Sequence, residues 1–247
     1  MITFFTSPRP FRGQFDKLQR MAIQSWLGAV PGCQIILMGD APGTGQVAQE
    51  LGITRCLDVA VNEKTTPLVN SLFALGERYA THGWLCEISA DITLDIDIVD
   101  ACLALAHLDN PFVVGQRWDI NAGAKPSSAV LHPPCGVDYF LYRRGTLPIA
   151  DIPPFAVGKT AYDNWLVWAA QEQWGMSVID ATESITAIHV NHPHPEYGNK
   201  TAMFESAERA ENLRLSAASG CRHLHGIDDA PWVLINGQVE RREASEL

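Results

Sequence analysis

The spacing of hydrophobic positions changes several times along the chain. Short apolar runs at 2–6 (ITFFT) and 34–38 (QIILM) read as buried strands. So does 84–90, which opens with Trp84, Leu85, Cys86 and Ile88. Between the first two runs, Phe15, Leu18, Ala22, Trp26 and Val30 recur at helical spacing. Further along, 46–51 reads as a short helix, CLDVAV (56–61) as a strand, and Pro67 as the opening of a helix reaching about His82. A helix over 97–107, a strand at 112–118, a loop over 121–134 and a strand at 136–144 follow. The remainder reads as a helix from about 161 to 173, one or two short strands over 177–192, helical residues 202–219, and a hairpin closed by Asn236-Gly237.

The N-terminal half thus alternates strand and helix. That order predicts an α/β fold with a doubly wound, mostly parallel sheet and helices on both faces. The C-terminal half is more irregular. No repeat or linker divides the chain, so a single domain over 1–247 is expected. In such sheets ligands bind beyond the carboxyl ends of the strands. The segment from Thr6 to Arg9, with Asp40, Asn62 and Asp91, occupies those positions.

Composition narrows the function more than the fold. The 247 residues carry a formal net charge of −10, a poor basis for nonspecific nucleic-acid binding. No apolar run is long enough to cross a membrane, and the N-terminus lacks a basic stretch ahead of a hydrophobic one. A cytoplasmic protein without a transmembrane segment is the expectation. Six cysteines lie scattered, most in apolar surroundings and none in a C-x-x-C pair, and read as reduced core residues.

Four constellations bear on chemistry. The strand at 84–90 runs through the small Ser89 and Ala90 into Asp91, which suits either a hard divalent cation beside a phosphate or a simple cap. His189, His192 and His194 follow an apolar strand, and one imidazole there could join Asp91 on a metal. His189 is favoured because it follows the apolar residues directly. Asp163 opens a helix beside Trp165 and Trp168, as a general base or as an ordinary helix-start acid. Gly43, Gly45 and Ala48 match the dinucleotide-binding G-x-G-x-x-G/A pattern, although Pro42 separates them from the strand. Arg9, Arg12, Lys64, Arg117, Lys125, Arg143 and Arg144 are candidate phosphate contacts.

The order of these parts, over about residues 2–195, resembles the GT-A-fold glycosyltransferases, including bacterial polysaccharide-type members. TSPRP after the first strand, the second strand ending in Asp40, and the Asn62/Asn70 region are similar to that family's N-terminal plan. Ser-Ala-Asp at 89–91 resembles its D-x-D motif, with Ser89 in place of the first acid and the metal-binding last acid kept as Asp91. GVDYFLYRR (136–144) resembles the acceptor-side strand, AYDNW (161–165) the motif whose acid is the base of inverting members, and AIHVNH (187–192) the metal-binding histidine segment.

The resemblance implies transfer of a sugar from a nucleoside diphosphate sugar, UDP-sugar favoured, to a hydroxyl acceptor such as a glycan. Mn²⁺ or Mg²⁺ would be held by Asp91 and His189, and Asp163 would be the base. Thr6, Pro8, Arg9, Asp40 and Asn70 would line the nucleotide cleft with Asp91. Residues to about 118 would bind the nucleotide and residues from about 119 the acceptor. A nucleotidyltransferase would show a Gly-rich loop after the first strand, which TSPRPFRG does not supply. A non-catalytic nucleotide-sugar-binding protein and an NAD-linked oxidoreductase stand as alternatives.

Overall fold

The structure, a computed structural model, describes residues 1–193 and 205–243. A nine-stranded sheet organises them. Its strands are β1 (Ile2–Thr6), β2 (Gln34–Met38), β3 (Thr54–Cys56), β4 (Trp84–Ile88), β6 (Pro111–Val114), β9 (Tyr139–Arg143), β10 (Ser177–Asp180), β12 (Trp232–Ile235) and β13 (Gln238–Arg241). They lie in the order β13-β12-β10-β6-β9-β4-β1-β2-β3. β9 runs against β4 and β6, β13 runs against β12, and the other pairings are parallel. A four-stranded sheet is built from β5 (Ile92–Leu94), β7 (Trp118–Asn121), β8 (Val130–Leu131) and β11 (Ala187–Asn191), in the order β5-β11-β7-β8.

Both faces of the large sheet are covered, as the uninterrupted apolar strands require. Successive strand residues point to opposite faces, and β1 shows the consequence. Phe4 stacks on Trp26 of α1 (Gly13–Ala29) at 5.5 Å, whereas Phe5 meets Phe73 of α3 (Val69–Tyr79) edge-on at 5.5 Å. Both phenylalanines are fully buried, each contributing about 1.5–3 kcal/mol of burial. The Phe4 face also receives α2 (Thr44–Leu51) and α4 (Asp97–Ala104), and the Phe5 face receives α5 (Tyr162–Trp168). α5 continues as a turn of π-helix over Ala169–Gln173, and the chain then reaches α6 (Ala207–Ala218). Among the described residues no helix is long and apolar enough to cross a membrane, and all six cysteines are free.

Three sequence expectations change here. The strand expected at 112–118 is two strands in different sheets, β6 and β7, separated by Gly115. A Cβ on Gly115 would meet the Tyr139 hydroxyl at 2.0 Å, so the chain crosses between sheets where only glycine fits. The loop expected at 121–134 contains β8, which pairs with β7. The strand expected at 56–61 ends at Cys56, and only an isolated bridge joins Val61 to Pro67, so that α3 starts at Val69 rather than at Pro67.

Candidate functional site

The carboxyl ends of β1, β2 and β4 open into a cleft of about 940 Å³. Its first wall is the segment after β1. Thr6, Pro8 and Arg9 line the cleft. The fully buried Gln19 of α1 holds this segment from behind, accepting from the Arg9 N–H at 2.7 Å and donating to the Arg9 carbonyl at 3.0 Å. Asp40, just past β2, lines the same cleft, with its side chain 82% exposed and paired to Arg55. Asn70 is not part of the wall. It lies in the first turn of α3, where its side-chain oxygen accepts the Ser71 N–H at 2.9 Å. Of the candidate phosphate contacts, Arg9 and Lys64 reach the cleft. Arg117 is taken up by Asp119 at 2.9 Å and Asp138 at 2.5 Å, and Arg143 lies over the Trp84 ring.

The second wall follows β4. The chain turns after Ile88 with the Ile92 N–H donating to the Ser89 carbonyl at 3.1 Å. The Trp26 indole N–H donates to the Ile92 carbonyl at 2.8 Å, and Ser25 Oγ accepts from the Leu94 N–H at 3.0 Å. α1 thereby fixes the corner that presents Asp91. The small sheet brings the histidines to it: His189 on β11 pairs with Ile92 on one side and Asp119 on the other. His192 Nε2 lies 3.0 Å from Asp91 Oδ2, with the Phe15 ring edge-on to the imidazole, and His189 Nε2 lies 4.0 Å from the same oxygen. His192 is thus nearer to Asp91 than the favoured His189, whose Nδ1 contacts Asp119 at 3.1 Å. His194 lies outside the described residues. One atom each from Asp91, His189 and His192 lie within 4.8 Å of one another. Two imidazoles and a carboxylate form a donor set that suits Mn²⁺, with positions left for oxygen ligands. Burial alone would raise the Asp91 pKa, but the His192 hydrogen bond and the charges of His189, His192 and Arg9 outweigh it and hold the carboxyl below its ordinary range.

The third wall is built from long-range contacts. Asp163 opens α5 after Thr160 and Ala161, both with positive φ (49° and 73°), conformations that cost a non-glycine residue energy. α6 stabilises that turn. The fully buried Asn212 accepts from the Ala156 N–H at 2.8 Å and donates to the carbonyls of Ala156 and Thr160 at 3.0 and 3.1 Å. Asp163 Oδ1 is shut away from solvent and has no hydrogen-bond partner among the described residues. Burial, with the Asp138 charge adding to it, pushes this carboxyl up to about 7 against the pull of the Asn164 and Val137 N–H groups. Asp138 and Glu87 line the same part of the cleft.

Sequence reasoning missed Glu87 and Asp138. A signal for Glu87 was present: an acid at the centre of the apolar run WLCEI. Asp138 looked ordinary and acquires its place only through Arg117 and Ser89. The glycine-rich segment, in contrast, is a packing feature. Gly43 precedes α2 with φ +90°, and a Cβ there would meet Phe11 Cβ at 2.8 Å, so the motif serves a close crossing of two chain segments.

A mostly parallel sheet with a ligand-sized cleft at its carboxyl edge and an acid beyond the fourth strand is a GT-A-like arrangement. Solved structures of nucleotide-sugar glycosyltransferases share the fold. S. aureus TarS 1–349 in complex with UDP-GlcNAc aligns over 88% of this chain and 66% of its own, just under two thirds, with a TM-score of 0.56 and 13% identity. Glucosyl-3-phosphoglycerate synthase from Mycobacterium tuberculosis, in complex with Mg²⁺ and UDP, aligns over 89% of this chain and 79% of its own, with a TM-score of 0.52 and 14% identity. A further complex of that synthase contains Mn²⁺, UDP and phosphoglyceric acid. No family model matches the chain, and no curated protein matches it in sequence. At these identities the likeness is one of fold.

Proposed function

We propose that the protein is a glycosyltransferase that moves a sugar from a nucleoside diphosphate sugar, with UDP-sugars favoured, to a hydroxyl acceptor such as a glycan. The observation that carries this reading is one cleft holding two differently prepared acid sites: Asp91 with two histidines, and the buried, acid-flanked Asp163 carboxyl. The UDP complexes of the structural neighbours support it. In this reading residues up to about 118 supply the nucleotide side, with Thr6, Pro8, Arg9 and Asp40, and the rest of the chain supplies the acceptor side.

Asp91, His192 and His189 would hold Mn²⁺ or Mg²⁺, and Arg9 adds positive charge on the diphosphate side. A divalent ion there supplies Lewis-acid neutralisation of the departing diphosphate. Asp163 takes the proton from the attacking hydroxyl. A carboxylate whose pKa lies near the working pH is ionised enough to accept and basic enough to be effective. The strained turn held by Asn212 keeps it aimed at the cleft. UDP release from UDP-glucose and UDP-GlcNAc, measured with and without Mn²⁺ and with simple sugars as acceptors, tests the reading. Metal-stimulated UDP release supports it. Absence of any binding of UDP or its sugars in the presence of Mn²⁺ contradicts it.

A further inference from the structure

Glu87 is a carboxyl in the middle of the central strand β4, 6% exposed, a position where acids are almost never buried without a partner. Among the described residues no hydrogen bond reaches its side chain, and the charges acting on it are those of Asp138 and Asp163. Its side chain nevertheless lines the cleft. It shares a face with Ser89, just past β4, and the titratable groups around it among the described residues include Asp138, Asp163, Tyr162, Tyr142 and Cys86.

Its place along the sheet suggests what it meets. Strands in the order β9-β4-β1-β2-β3 lie about 4.8 Å apart. Under the proposed function, the nucleoside lies toward β2 and Asp40, and the diphosphate lies at the mouth of β4 beside Asp91. The group on the far side of the diphosphate then lies over β4 and the entrance to β9, where Glu87 and Asp138 sit. That group is the donor sugar.

We propose that Glu87 is a sugar-reading residue whose carboxyl exchanges hydrogen bonds with one hydroxyl of the donor sugar ring. The inference rests on the nucleotide-sugar reading and adds to it the residue that selects the sugar. Burial, followed by the charges of Asp138 and Asp163, pushes the Glu87 carboxyl up to about 8. At neutral pH it therefore carries its proton and offers both a donor and an acceptor, matching a hydroxyl, which also does both. An ionised carboxylate in the same place would repel Asp163 and only accept.

The test compares affinities for UDP, UDP-glucose, UDP-galactose and UDP-GlcNAc, with Mn²⁺, in wild type, Glu87→Ala and Glu87→Gln. Glu87→Ala should lose about tenfold in affinity for the preferred UDP-sugar and keep its affinity for UDP, since one hydrogen bond is removed. Glu87→Gln, which keeps a neutral donor and acceptor, should retain most of the sugar increment. Singly deoxygenated forms of the preferred sugar complete a double-mutant cycle: removing the contacted hydroxyl should weaken wild type and leave Glu87→Ala unaffected. Equal losses for UDP and the UDP-sugar, an unaltered sugar increment in Glu87→Ala, or a Glu87→Gln variant as impaired as Glu87→Ala each overturns the assignment. Melting temperatures of the variants identify a merely structural role, which moves stability and leaves the sugar increment alone. If wild type binds none of the four probes, the nucleotide-sugar reading falls and this inference falls with it. If wild type shows the increment and Glu87→Ala retains it, only this inference falls.

Discussion

Burial acts on Asp91 and Asp163 alike, raising both carboxyls, yet the two end in opposite states. At Asp91 the His192 hydrogen bond and the charges of His189, His192 and Arg9 overcome burial, and the group is held as a carboxylate. At Asp163 the Asn164 and Val137 N–H groups offset burial only in part, Asp138 adds repulsion, and the group rises to about 7. Two aspartates lining one cleft therefore suit different work: fixed negative charge at one wall and proton exchange at the other. What separates them is the fold around each. α1 holds the corner that presents Asp91 and the small sheet brings two imidazoles to it, whereas α6 and a strained turn hold Asp163 beside Asp138.

The sharpest way to break this comparison is to neutralise Asp163, the member proposed to exchange a proton. Asp163→Asn should lower the rate of sugar transfer to an acceptor, followed as UDP release, by about 10²–10⁴, the usual cost of losing a general base. Affinity for the UDP-sugar should stay near the wild-type value. Equal losses in rate and affinity would make Asp163 a helix-start residue only.

Loosening the support behind Asp163 should have a smaller effect. Asn212→Ala leaves buried backbone groups of the turn at 156–160 without partners, a loss of about 1–3 kcal/mol in stability. Chemical denaturation measures that loss. Turnover should fall while UDP affinity holds, because Asn212 touches only the Asp163 side.

The pH dependence of stability sharpens the contrast further. An acid with a raised folded-state pKa contributes its full stability below its unfolded value, about 4, and loses that contribution as pH rises through the folded value. For Asp163 that loss runs up to about pH 7. Asp163→Asn removes it, so the variant's melting temperature relative to wild type should increase from about pH 5 to about pH 8. A constant difference would show that Asp163 is not held in the raised state.

The smallest effect is expected at the nucleoside wall. Asp40 is largely exposed and paired with Arg55, so Asp40→Ala should cost at most about 1 kcal/mol in UDP affinity, measurable by calorimetry.

The same contrast governs what could be read without a structure. The Asp91 wall was legible because it is local: an apolar strand, two small residues and an acid within eight positions, and histidines directly after another apolar run. The turn at Asn236-Gly237 was legible for a similar reason, and both residues take positive φ, 51° and 76°. Choosing between His189 and His192 depended on how β11 docks on β5, a contact between strands far apart in sequence. The Asp163 wall was legible only as a residue at a helix start. Its character depends on Asp138, on burial, and on Asn212 of α6, and none of these is implied by local pattern. β7 was missed because WDIN is polar and half-exposed, lacking the apolar signal of a buried strand, and β8 because it is only two residues, both exposed. Glu87 was passed over because its strand was recognised from its apolar members.

Titration of UDP with Mn²⁺ into wild type, Asp91→Asn and Asp163→Asn by calorimetry tests the division of labour most directly. Asp91→Asn should lose the Mn²⁺-dependent part of UDP affinity by at least about tenfold, the scale on which even supporting groups around a metal act, while Asp163→Asn should bind UDP as wild type does. Metal-dependent binding that survives in Asp91→Asn, or that is lost equally in Asp163→Asn, would contradict the account.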